Sequence, residues 1–165
     1  MWSSPSGFGK VTTPMSQSWS KLNHLQIGKY GEYFSKMAFT REGFDVYTSE
    51  VDDKGIDFVI RRNEKEFFDV QVKSIRNNNY VFMRKEVFRP RKNLFLSLLL
   101  FDNNDDLPTL LLVPSLDWIE KKHSALIERN YENSKSNPEW GLSLNKANIE
   151  NFKSNYAFKK QIEKL

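Results

Sequence analysis

Residues 94–101 read Leu-Phe-Leu-Ser-Leu-Leu-Leu-Phe, an apolar run bounded by polar segments on both sides. An element half-exposed to water alternates or shows one polar stripe; this one shows neither. It is the longest apolar run in the chain and far shorter than the roughly 20 residues that span a bilayer, so no membrane segment is expected. It therefore reads as the central strand of a sheet covered on both faces. A chain with such a strand must supply neighbours on each side and a layer for each face.

Residues 55–76 read as a two-stranded hairpin. Ile56, Phe58 and Ile60 fall on one face of the first strand, with Asp57 and Val59 on the other. In the second strand Phe68, Val70 and Val72 alternate with Asp69, Gln71 and Lys73. Period two is the mark of a half-buried strand. Asn63, Glu64 and Lys65 form a polar turn. With Glu64 at its midpoint, Asp57 faces Gln71 and Val59 faces Asp69. Directly opposed side chains have Cβ atoms roughly 4.5–5.5 Å apart, so Asp57, Gln71 and, one step along, Lys73 converge. A carboxylate, an amide oxygen and the intervening Val72 carbonyl are hard oxygen donors of the kind Mg²⁺ accepts. Such an ion can activate water and stabilise charge on a phosphate. Taken alone, the Gln-x-Lys triplet reads as a solvated strand face; with the opposed Asp57 added, a solvated face and a site stand level.

Around this hairpin the chain reads as one domain of 165 residues, 39% hydrophobic and long enough to bury a core. It has no cysteine, which excludes disulfide frameworks and zinc-thiolate sites and fits a reducing, cytoplasmic setting. Residues 1–23 are rich in Ser, Thr, Pro and Gly and read as a flexible leader, with Met15 as an alternative start; residues 24–165 are the domain. Residues 24–43 predict a helix, with Ile27, Tyr30, Phe34, Met37 and Ala38 at helical spacing and Gly43 as its stop. Gly28 and Gly31 within it predict close backbone packing, and Glu32 beside them would need a partner if buried. Residues 44–50 predict a first strand.

These residues together resemble the PD-(D/E)XK nuclease superfamily: G-x-x-x-E at Gly28–Glu32, Gly43 to Val46, Gly-Ile-Asp ending at Asp57, and Gln-x-Lys at Gln71–Lys73. Within it the chain is similar to small bacterial nuclease-like domains, archaeal Holliday-junction resolvases and Mrr-type restriction endonucleases that use Q-x-K. The resemblance spans residues 24–76 by motif and reaches about residue 120 by strand order. It implies an α/β, restriction-endonuclease-like core, a mixed β-sheet flanked by helices in the order α-β-β-β-…-β-β-α. It implies Mg²⁺- or Mn²⁺-dependent hydrolysis of phosphodiester bonds, with DNA as the expected nucleic acid. Asp57, Gln71, the Val72 carbonyl and Glu32 would serve the metal, and Lys73 the attacking water. Ile56 stands where the signature has Pro. Gln71 replaces an acidic ligand, which costs one negative charge; Asp69 on the same face is positioned to compensate.

Residues 73–92 carry Lys73, Arg76, Arg84, Lys85, Arg89, Arg91 and Lys92 against a single acid, Glu86, with Tyr80, Phe82 and Phe88 interleaved. Alone, this run reads as a solvated charged face with core aromatics; beside a candidate phosphodiesterase site, Arg76, Arg84, Lys85, Arg89, Arg91 and Lys92 are expected nucleic-acid contacts, since cations neutralise phosphates and aromatic faces stack on unpaired bases. The net charge of +4 allows a polyanionic partner. Residues 80–87 and 107–113 predict further strands. Residues 116–127 predict a helix that Ser115 caps. Residues 130–138 predict a polar loop, with Trp140 and Leu142 as anchors after it. Residues 146–163 predict a C-terminal covering helix with Ile149, Phe152, Tyr156 and Ile162 on one stripe, open to a homodimer role. His24 and His123 lie in no metal or nuclease motif. The alternative to an enzyme is an inactive nuclease-fold module that binds nucleic acid or a protein within a defence or mobile-element system.

Overall fold

The computed structural model describes residues 19–48, 55–77, 80–102, 107–132 and 135–165. Residues 94–101 form β5 (Leu94–Phe101), with every side chain buried. It lies between β3 (Phe67–Arg76), to which it runs parallel, and β6 (Thr109–Pro114), antiparallel to it. β1 (Asp45–Tyr47) and β2 (Phe58–Arg61) extend β3 as an antiparallel meander, giving the five-stranded order β1-β2-β3-β5-β6. The mixed sheet flanked by helices is thus the architecture observed.

The two faces of β5 are covered differently. Phe95, Leu99 and Phe101 face α1 (His24–Arg41), while Leu96, Leu98 and Leu100 join a separate core. Fully burying each such leucine is worth roughly 1.5–3 kcal/mol relative to exposure. A capping box starts α1: the Gln26 amide donates to Asn23 Oδ1 and the Asn23 amide to Gln26 Oε1, both at 2.9 Å. Its buried stripe is Ile27, Gly31, Ser35 and Phe39, so Met37, expected inward, is 62% exposed. The small residues set the distance to the sheet. Ser35 and Ser97 join hydroxyls at 2.8 Å, and a Cβ on Gly31 would lie 2.0 Å from Ser74 Oγ. Gly28 has no such neighbour.

The opposite face is covered by a second sheet, β4-β8-β7, formed by β4 (Tyr80–Arg84), β8 (Glu139–Ser143) and β7 (Leu126–Arg129). Here the sequence reading is corrected. Residues 116–127 are not one helix: α2 covers only Leu116–Ile119, and the chain re-extends as β7. The reason is pairing, since Leu126 and Ile127 fall opposite Leu142 and Gly141 of β8. Ser115 makes no cap; its hydroxyl donates to the Arg91 carbonyl and accepts from the Arg91 amide, both 2.9 Å. The strand predicted over residues 80–87 ends at Arg84, where a turn begins. Part of the strand predicted over 44–50 lies outside the described residues.

The C-terminal helix is also broken. α3 (Ile149–Tyr156) places Phe152 and Tyr156 in the core beneath the small sheet, whereas α4 (Phe158–Ile162) places Phe158 and Ile162 in the core on the α1 side. Between them Ala157 is extended and bridges to Leu111 of β6. One straight helix could not reach both faces of the sheet. At the other end, Trp19, within the expected leader, is buried against Tyr30 and Phe101; residues 1–18 lie outside the described residues. Among the described residues no helix is long and apolar enough to cross a membrane.

Gly141 fixes how the small sheet closes. An added Cβ would sit 2.3 Å from Tyr80 Oη and 2.8 Å from Ile127 Cγ1, two side chains on opposite neighbouring strands. Gly141→Ala should lower stability in urea by about 1–3 kcal/mol. An unchanged midpoint would refute this packing.

Candidate active site

The hairpin register is the one expected from its turn: Phe58 pairs with Val70, Val59 with Asp69 and Ile60 with Phe68. Beyond Phe58 the ladder is continued by Asp57. Its amide donates to the Val70 carbonyl at 2.9 Å, and its Oδ2 accepts the Val72 amide at 2.5 Å. The carboxylate therefore lies over the stretch of β3 centred on Gln71. That hydrogen bond to a backbone N–H holds the anion in place.

Gln71 is buried, with 8% of its surface exposed, and its Oε1 has no hydrogen-bond partner among the described residues. A buried, unsatisfied amide oxygen costs about 1–3 kcal/mol, so its retention calls for a physical reason. Gly55, with φ +65°, would place an added Cβ 3.6 Å from Gln71 Nε2 and 3.1 Å from the Val87 side chain. The left-handed backbone and the close approach together favour glycine there. Lys73, on the same face of β3, is half-buried, and no hydrogen bond or ion pair engages its ammonium among the described residues.

Glu32 stands on α1, whose tight seat at Gly31 and Ser74 lies on the face of β3 opposite Gln71 and Lys73, so the structure does not bring it into contact with them. Its carboxylate is a quarter exposed and bound to Lys29 at 2.5 Å. The Lys29 amine is held above its ordinary range by the hydrogen bond to Glu32, and the field of Asp57 adds in the same direction. Sequence reasoning missed Lys29 and Gly55. Lys29 could have been found from its i,i+3 spacing to Glu32, and Gly55 from its place two residues before Asp57.

A divalent ion can be tested against these donors. The unpartnered Gln71 Oε1, the Asp57 carboxylate beside it and the adjacent Val72 form a set of hard oxygens, so the residues present fit Mg²⁺ or Mn²⁺. Asp69 does not contribute as expected, because Arg91 Nη2 donates to its Oδ2 at 2.6 Å. Among the described residues no three Asp, Glu or His side chains gather as a ligand cluster.

The basic residues divide into two groups. Arg91 is tied to Asp69 and to the Arg89 carbonyl. Arg76 Nη1 donates to the carbonyls of Trp19 and Leu22, at 2.9 and 3.0 Å. Lys85 pairs with Glu128 and Asn130 and lies 4.3 Å from the Trp140 ring centroid. These three brace the fold. Arg84, Arg89 and Lys92 are exposed. Arg84 and Arg89 flank Val87, which abuts Gly55, so their chain positions bracket the site.

No family model and no curated protein matches the chain. Among solved structures it is similar to Hjc, a Holliday junction resolvase from the archaeal hyperthermophile Archaeoglobus fulgidus, with 10% identity and a TM-score of 0.45 over 75% of this chain and 95% of that one. It is also similar to the bacterial homing endonuclease I-Ssp6803I, with 18% identity and a TM-score of 0.44 over 70% of this chain and 84% of that one.

Proposed function

We propose that the chain is a divalent-metal-dependent phosphodiesterase that cuts nucleic acid, with DNA as the substrate to try first. The carrying observation is the buried Gln71 Oε1 near the Asp57 carboxylate, with Lys73 on the same strand face, neither Gln71 Oε1 nor the Lys73 ammonium having a partner among the described residues. Asp57, Gln71 and the Val72 carbonyl would hold Mg²⁺ or Mn²⁺, and Glu32 would assist once Lys29 yields. When bound, the ion supplies Lewis acidity toward a phosphate oxygen. The Lys73 ammonium would orient the attacking water or neutralise charge developing on the phosphate. Exposed Arg84, Arg89 and Lys92 would meet the phosphates that flank the scissile one.

Cleavage of linear, branched and single-stranded DNA in Mg²⁺ or Mn²⁺ tests this directly. Asp57→Asn and Lys73→Ala, both checked for folding by circular dichroism, should each lose at least about 100-fold in rate. Metal-dependent products that persist in both variants would sink the assignment. A second reading, a binding module that does not cut, is favoured by the lack of a three-residue acidic cluster among the described residues. It predicts no cleavage by the wild type and salt-sensitive binding that Lys73→Ala leaves untouched.

Gln71 gives an independent check. Gln71→Leu removes an unsatisfied acceptor and should raise stability in EDTA by about 1 kcal/mol while abolishing cleavage. Gln71→Glu restores the missing charge and should tighten Mg²⁺ binding about tenfold, read as a metal-induced rise in Tm. A Gln71→Leu variant less stable than wild type in EDTA would show that the amide is satisfied and kept for structure.

A further inference from the structure

The small sheet presents two unlike faces. Val81, Met83, Leu126, Trp140 and Leu142 point into the core, while Tyr80, Phe82 and Arg84 alternate outward on β4, with Arg129 on the same side of β7. Phe82 is 47% exposed, and its partner across the ladder is Gly141, which offers no side chain to pack against it. The Tyr80 ring crosses above Gly141 and is pinned there: its hydroxyl donates to Glu139 Oε1 at 2.5 Å, and the Tyr131 hydroxyl donates to the same oxygen at 3.0 Å. Tyr80 and Phe82 lie nearly parallel, centroids 6.4 Å apart at 20°. The Arg129 guanidinium sits 4.4 Å from the Tyr80 centroid. The Arg84 contact with Glu86, at 3.6 Å between well-exposed side chains, leaves that cation free to meet another anion.

The result is a fixed pair of near-parallel rings whose exposed member is Phe82, with the Arg129 guanidinium over the Tyr80 ring and Arg84 two residues along β4. A protein core would demand shaped apolar knobs, and a lipid surface a broader apolar area. A nucleobase has a flat π-face of this size and arrives with an anionic backbone. In a duplex the base faces are already stacked, so only unpaired nucleotides can use the surface. The surface is also joined to the candidate site. β4 leads from Phe82 through Arg84 into the turn whose Val87 lies against Gly55, beside Gln71.

We infer that the outer face of β4-β8-β7 binds unpaired nucleotides by stacking, with Phe82 as the main platform and Arg84 and Arg129 on the phosphates. This rests on the nucleic-acid reading above and narrows it to substrates with a single-stranded portion. The full-length protein, in EDTA, is titrated against a fluorescent mixed-sequence oligonucleotide as single-stranded DNA, single-stranded RNA and duplex DNA, followed by anisotropy. Wild type should prefer the single strands. Phe82→Ala should weaken single-strand binding about tenfold and leave duplex binding alone, and Phe82→Trp should retain it. Equal affinity for single strand and duplex, no binding to either, or an unaffected Phe82→Ala would each overturn the inference. Because the titration contains no metal, a failed cleavage assay with this preference intact would sink only the phosphodiesterase, and the reverse only the platform.

Discussion

The amide of Val72 gives its hydrogen bond to a side chain, the carboxylate of Asp57, at the point where the regular pairing of β2 with β3 ends. That exchange fixes the candidate site. It anchors an anion over Gln71 and continues the pairing of β2 with β3 one residue beyond Phe58. The face that β3 turns toward β4 then carries a buried amide and a half-buried ammonium in fixed order. Its other face, through Val70 and Val72, packs with Phe95 and with α1. One strand serves both the core and the chemistry because its period is two.

Much of this was legible from local pattern. Residues 94–101 could only be a doubly covered strand, and the polar turn at Asn63–Lys65 set the hairpin register without a glycine. Gly31 announced the close seat of α1. The misread stretches share a cause: their conformation is decided by distant partners. Leu126 and Ile127 extend because β8 lies beside them, and nothing in residues 116–127 says so. Ala157 has good helix propensity, yet it is extended, since Tyr156 and Phe158 must enter cores on opposite faces of the sheet.

The candidate site was legible as residue types and only partly as contacts. Asp57, Gln71 and Lys73 stand where the register put them. The engagement of Asp69 with Arg91 and of Arg76 with the Trp19 and Leu22 carbonyls could not be read from spacing, because each joins different elements. A run of basic residues is thus a mixture. Some cations are internal struts that happen to be charged, and composition alone cannot sort them.

The crossing at Ala157 has a consequence for assembly. By bridging to Leu111 it lays a segment of the chain's own backbone along β6, the outermost strand on that side of the sheet. A foreign strand therefore meets an occupied border there. The opposite border is β1, three residues long and held by the Asp45–Arg61 pair, too short to template much growth. Among the described residues the large sheet thus offers one edge interrupted by its own chain and one of three residues, poor templates for continuing the ladder with a second copy.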